Sequence, residues 1–202
     1  EIHVDGGLSF NVLSIFDRDN WIKPTSDRIN IALYHGAIAG CTTGSNWIMD
    51  QGDDEATIFA DHDFAMLGDI HRQQPLDSAG RVWYCGSTIQ QKFSESALKG
   101  YLLWEIQDKD NFRVIKQHVS NPRPFITVRL NKDGSLPDTH VPRGCRLRLI
   151  SKTNLPSDKL RKARAVAEAK WNPFSVTTLN GKESGSHHDE GHYSNAVLSE
   201  NL

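Results

Sequence analysis

Two short β-forming runs in this chain end alike, each on a glycine beside side chains that can bind a metal ion. Ile29, Ile31 and Leu33 alternate with Asn30, Ala32 and Tyr34 and run into His35-Gly36, and Phe64-Ala65-Met66-Leu67 runs into Gly68-Asp69-Ile70-His71. Alternation with a period of two, and a short apolar run bounded by turn residues, are both strand patterns. The repetition predicts a sheet whose rigid strands hold the ligands, with loops at the strand ends leaving room for substrate.

The surrounding segments extend that sheet. Residues 8–15, rich in β-formers, stop at the turn-prone Asp17-Arg18-Asp19-Asn20, so a strand and then a loop are expected. A long loop spans Gly40 to Gly52, and a short helix is expected near residues 55–60. Residues 81–85 read as extended and lead into Gly86-Ser87-Thr88. Residues 101–106 and 112–118 flank Asp108-Lys109-Asp110-Asn111, the pattern of a β-hairpin.

Pro122 and Pro124 then interrupt the β pattern and predict a boundary, giving a first domain over 1–120 and a smaller one over 121–180. The smaller one reads as strand (125–130), strand (146–150), helix (157–171) and strand (175–179). Leu160, Ala163, Ala167 and Trp171 share one face of the helix at its 3.6-residue period, and Pro156-Ser157 stands at its start. Lys159, Arg161, Lys162 and Arg164 form a basic outer surface. Residues 181–202 are polar and poor in apolar side chains, as a flexible tail would be.

Composition excludes some functions. No apolar run approaches the roughly 18 residues of a membrane span. Cys41, Cys85 and Cys145 are odd in number and widely spaced, which fits a reducing cytoplasm better than a disulfide framework. The net charge of −2 supplies no global attraction to nucleic acid, so DNA binding has to rest on local basic patches and metal ions. A divalent cation beside a phosphodiester calls for imidazole nitrogens and carboxylate oxygens with coordination positions left open. Asp69 and His71 are such groups, and His35 joins them if its strand is their neighbour. For any one histidine taken alone, a satisfied polar residue is the simpler account.

Four blocks in order, Ile29 to Gly36, Phe64 to Arg72, Trp83 to Gln91 and Lys99 to Trp104, resemble the SbcD-type DNA double-strand-break-repair nucleases of the calcineurin-like metallophosphoesterase superfamily. The resemblance extends to about Leu179. It implies an α+β (α/β) fold: part of a metallophosphoesterase β-sandwich, followed by a small β-β-α-β capping domain that helps position DNA. It also implies two Mn²⁺ ions, or Mg²⁺, bridged by water or hydroxide, with His35 and Asp69 on one metal and His71 on the other. Asp69 stands where the family more often has histidine. Cys85 replaces the family's usual proline and is expected to be a packed thiol. Ser87 and the helix residues Lys159, Arg161, Lys162 and Arg164 are candidate substrate contacts, each weighed against a plain turn or a solvated surface.

The partners implied are DNA, an SbcC-type SMC-like ATPase and a second copy in a homodimer of the full-length protein, in the cytoplasm or at the nucleoid. No Asp-x-His, Gly-Asp or Gly-Asn-His-Asp stands in residues 1–28, ahead of the first of these blocks, where the resemblance puts the family's N-terminal motifs. The resemblance therefore reads as the C-terminal part of a catalytic domain plus its cap, expected to be inactive alone. A metallophosphoesterase for a nucleotide or phosphoprotein, or a scaffold without catalysis, stays open beside it.

Overall fold

The computed structural model of the protein describes residues 2–5 and 7–181, so residues 182–202 of the expected tail lie outside the described residues. Among the described residues, eleven strands and one α-helix make a mixed, mostly β, α+β structure. The strands are β1 (Ile2–Asp5), β2 (Leu8–Leu13), β3 (Ile29–His35), β4 (Phe64–Gly68), β5 (Gln74–Pro75), β6 (Val82–Tyr84), β7 (Lys99–Ile106), β8 (Phe112–Val119), β9 (Phe125–Arg129), β10 (Arg146–Ser151) and β11 (Ser175–Asn180), with α1 at Ser157–Trp171. No helix among the described residues is long and apolar enough to cross a membrane.

The chain divides into two compact units, the first comprising residues 1–88 and 98–119 and the second residues 89–97 and those from Ser120 onward. The segment 89–97 thus belongs with the second unit although it lies inside the first in sequence. Its hydrogen bonds show why. The buried Gln90 amide accepts from Phe125 N at 3.0 Å and from Asn121 Nδ2 at 3.2 Å, and it donates to Glu95 O at 2.9 Å. Phe93 adds an edge-to-face contact with Phe125.

In the first unit the sheet order is β1-β2-β3-β4-β6-β5. β2, β3, β4 and β6 run parallel, and antiparallel β1 and β5 close the edges. Alternation then sorts the side chains by face. Leu13, Ala32, Tyr34, Ala65, Leu67 and Tyr84 enter one buried cluster, completed by Ile38, Cys41, Phe59 and Ile70 from the loops. Phe64 points the other way. There it meets Trp104 of β7 and Phe112 of β8 edge-to-face, at 5.8 and 4.7 Å between ring centres, so the β7-β8 hairpin packs on that face. The short helix expected near 55–60 is a single 3-10 turn, Ala56–Phe59, which buries Phe59. The strand expected over 8–15 ends at Leu13; Asp17 N donates to Ser14 O, turning the chain early.

In the second unit β9, β10 and β11 form a parallel sheet with β10 central. Val128, Leu147, Leu149 and Val176 cover one face together with Ala167 and Trp171 of α1, the stripe read from the sequence. Pro156 occupies the N-cap without a side-chain hydrogen bond; its carbonyl accepts from Lys159 N and Leu160 N instead. Asn172 ends the helix at φ 44°, a left-handed position that asparagine tolerates.

One buried group couples the fold to pH. Both ring nitrogens of His62 are buried without a hydrogen-bond partner, and burial holds its pKa below the ordinary 6.5 although Asp61 and Asp63 oppose the shift. The unfolded chain then takes up a proton near pH 6.5 that the folded chain refuses, so stability falls as pH drops below that value. Thermal melts of His62→Leu against pH should show a flatter decline between pH 7 and the acid limb than the parent; parallel curves would remove His62 as the cause.

Candidate functional site

Parallel strands gather their carboxyl ends on one side of a sheet, and the crevice beyond those ends is where ligands bind in sheets of this kind. His35 is the last residue of β3 and pairs in register with Gly68, the last residue of β4. The imidazole lies directly against the glycine: a Cβ built at Gly68 would come within 2.8 Å of His35 Cδ2. A side chain at 68 would require the His35 ring to shift. Asp69 follows at φ 85°, where residues with a side chain are rarely found and aspartate is among the better tolerated. Ile70 turns into the core, leaving Asp69 exposed and His71 half-buried on either side of it.

The loop after His35 is fixed from beneath. The fully buried Tyr84 hydroxyl donates to Gly36 O and accepts from Ile38 N, both at 2.8 Å, and burial raises its pKa, so it stays a neutral donor. Tyr34 donates to Asp54 at 2.6 Å, and Arg18 meets the same carboxylate at 2.5 Å. Although burial opposes it, these two partners hold the Asp54 pKa below its usual value. Asp53 accepts from Ala37 N at 2.8 Å. The Gln74 amide clamps Thr42 from both sides, accepting from its N–H at 2.8 Å and donating to its carbonyl at 2.6 Å.

Lys99 is the residue that reading the sequence for chemistry passed over. It is 5% exposed, and its Nζ donates to His71 O and to Ser87 Oγ, each at 3.0 Å. A buried lysine that holds the backbone of one candidate ligand and the hydroxyl of a candidate substrate contact is a positioning residue. The signal available in sequence was a lysine opening a strand, which alone is unremarkable. Gly86, at φ 74°, lets the chain pass beside Gln73: a Cβ there would lie 2.6 Å from Gln73 Cγ.

His35, Asp69, His71 and Ser87 therefore belong to the carboxyl end of the first unit's sheet. Imidazole and carboxylate suit Mn²⁺ or Mg²⁺ in chemistry. In number they fall short, because among the described residues no three His, Cys, Asp or Glu side chains come together as a metal-binding group. The expectation that Cys85 is a packed thiol holds only in part: the residue as a whole is exposed, β6 having ended at Tyr84, while its sulfur is partly buried. Its thiol pKa is raised by burial of the sulfur, which argues against a thiolate nucleophile. The helix residues lie in the second unit. Lys159, Arg161, Lys162 and Arg164 are all exposed, with Arg164 paired to Glu168 at 2.9 Å one turn on.

Two outcomes test this construction. Gly68→Ala should keep the fold but displace the His35 ring, seen as a shift of its imidazole resonances in NMR spectra, whereas Asp69→Val should cost about 1–2 kcal/mol in urea unfolding and Asp69→Gly should not. Lys99→Met, which removes a charged donor from two half-buried acceptors, should destabilise by about 1–3 kcal/mol; a loss below ~0.5 kcal/mol, the range of ordinary surface changes, would remove it as a support of the site.

No protein-family model matches the chain. A stretch of 155 residues is 31% identical to an uncharacterized protein of Acanthamoeba polyphaga mimivirus, covering 71% of this chain and 11% of the viral protein. The chain thus corresponds to about a tenth of that relative's length.

Proposed function

We propose that this chain forms part of a metal-dependent phosphodiesterase-type nuclease acting on DNA, of the SbcD kind. The observation that supports it best is the in-register pairing of His35 with Gly68 at the carboxyl ends of adjacent parallel strands, followed at once by Asp69 and His71. In this reading His35 and Asp69 offer a nitrogen and an oxygen donor to one Mn²⁺ and His71 a nitrogen to a second. Metal ions bound there supply charge stabilisation at phosphorus and an activated water. Gly68 keeps the space that His35 occupies, Lys99 fixes the His71 backbone and the Ser87 hydroxyl, and Tyr84 steadies the loop after His35.

The remaining donors come, in this proposal, from polypeptide outside these residues. DNA contacts fall to Ser87 and to Lys159, Arg161, Lys162 and Arg164, and the assembly includes an SbcC-type SMC-like ATPase and a second copy of the protein. The fold detail that goes with this reading is a metallophosphoesterase sandwich followed by a cap.

A second reading, a DNA-binding module without catalysis, is favoured by the lack of a three-donor group among the described residues. Calorimetric titration with Mn²⁺ and a cleavage assay on linear DNA separate the two. Under the nuclease reading the 202-residue chain binds Mn²⁺ weakly, His35→Ala and Asp69→Ala each weaken binding by about tenfold or more, the scale that even outer-shell changes reach, and the chain alone leaves linear DNA intact. Affinity that neither substitution alters sinks the metal role. Mn²⁺-dependent cleavage by the chain alone would instead show that it carries a complete site.

A further inference from the structure

The face of the second unit's sheet turned away from α1 carries a ladder of arginines and aromatic rings. Register places Phe125 beside Arg146, and Thr127 beside Arg148, on that face, because Ile126, Leu147 and Val176 between them point into the core. The Arg123 guanidinium lies 4.2 Å from the centre of the Phe174 ring. Arg146 lies 5.6 Å from Phe174 and 5.0 Å from Phe125. Phe125 meets Phe93 at 4.9 Å, and Arg148 stands 4.5 Å over Phe93. No aspartate or glutamate occurs in β9, β10 or β11.

Packing explains the inner rungs of this ladder and leaves the outer one without a structural reason. Phe174 remains 57% exposed, on the approach to an edge strand whose residues other than Val176 are exposed. A ring stacked on an arginine but open to solvent is the arrangement that bases stack on, while the guanidinium edge stays available for phosphate. The helix face, assigned above to DNA contacts in general, is less suited to an unpaired strand. Arg164 is engaged with Glu168, and Asp158 and Glu168 lie among its basic residues.

We infer that this sheet face binds single-stranded DNA, with a base stacking on Phe174 and Arg123 contacting phosphate. The inference deepens the nuclease reading by assigning where an unpaired strand of the substrate is held, and it rests on DNA being that substrate. Single strand is favoured over duplex because an open ring has use only for a base that is free to stack.

Binding of a short fluorescent DNA strand to the 202-residue chain, read by anisotropy in EDTA, tests it without any metal or cleavage. Phe174→Ala should weaken binding about tenfold, within the range for losing one stacked base, and Phe174→Trp should retain or tighten it. Arg123→Gln should lower the slope of log affinity against log salt by about 0.7, the share of one phosphate contact on a single strand. Circular dichroism melts confirm that each variant is folded. Absence of single-strand binding at low salt, equal losses on a blunt duplex, or a larger loss from Arg161→Gln/Lys162→Gln than from Phe174→Ala overturns the assignment. The Mn²⁺ titration described above reads the nuclease proposal independently, so either can fail while the other stands.

Discussion

The parallel pairing of β3 with β4 is the constraint on which the rest of the candidate site depends. It sets His35 beside Gly68 in register, and the imidazole then occupies the volume a side chain at 68 would need. A slip of one residue would turn every side chain of β3 to the other face, moving His35 to the side of the core cluster and Tyr34 to the side of Ile31 and Leu33. Tyr34 and Ala32 in the core therefore fix the register, and the register fixes the histidine. Tyr84, from the next parallel strand, completes the arrangement by holding the Gly36–Ile38 backbone that follows.

Much of this was legible in the sequence because period-two alternation and strand-end glycines are local signals. Residues 29–35, 64–68 and 157–171 show their elements in their own pattern, and the helix stripe Ala163, Ala167 and Trp171 is buried as its spacing implies. Contacts distant along the chain left little trace. Gln90 bonds to Phe125, 35 residues away, and nothing about the Gln90-Gln91 pair in a polar stretch marks residues 89–97 as part of the second unit. Lys99 likewise shows its role only once His71 and Ser87 are brought to its amine. The backbone of Asp69 at positive φ is a further feature that no spacing rule exposes, since it depends on how Gly68 leaves the strand and Ile70 re-enters the core.

Net charge was a poor guide to the electrostatics. The chain as a whole carries −2, yet its acidic groups are partly consumed in local structure: Asp54 holds Arg18 and Tyr34, Asp53 holds Ala37 N, and Asp63 holds Asn30 N and Lys109. The arginines of β10, by contrast, stack on rings within a sheet that has no acidic residue. A polyanion responds to the local field rather than to the sum, so the overall sign says little about either candidate surface.

The donor set and the supports around it point in different directions unless they are considered together. Among the described residues the three candidate ligands form no three-donor group, so by number alone they do not argue for metal chemistry. A residue held at positive φ, a glycine kept free for an imidazole and a buried lysine tying His71 to Ser87 each constrain the chain beyond what a strand end needs for stability. Such constraints persist where the surrounding structure over-determines them, and they cluster at functional sites. Under the proposal above, this strand end is a rigid part of a site whose geometry is set by the sheet and whose donor count is completed by other residues. Gly68 and Asp69 adjoin at the end of β4, and Lys99 reaches His71 O from β7, so the three features converge on one strand end from two separate sheets.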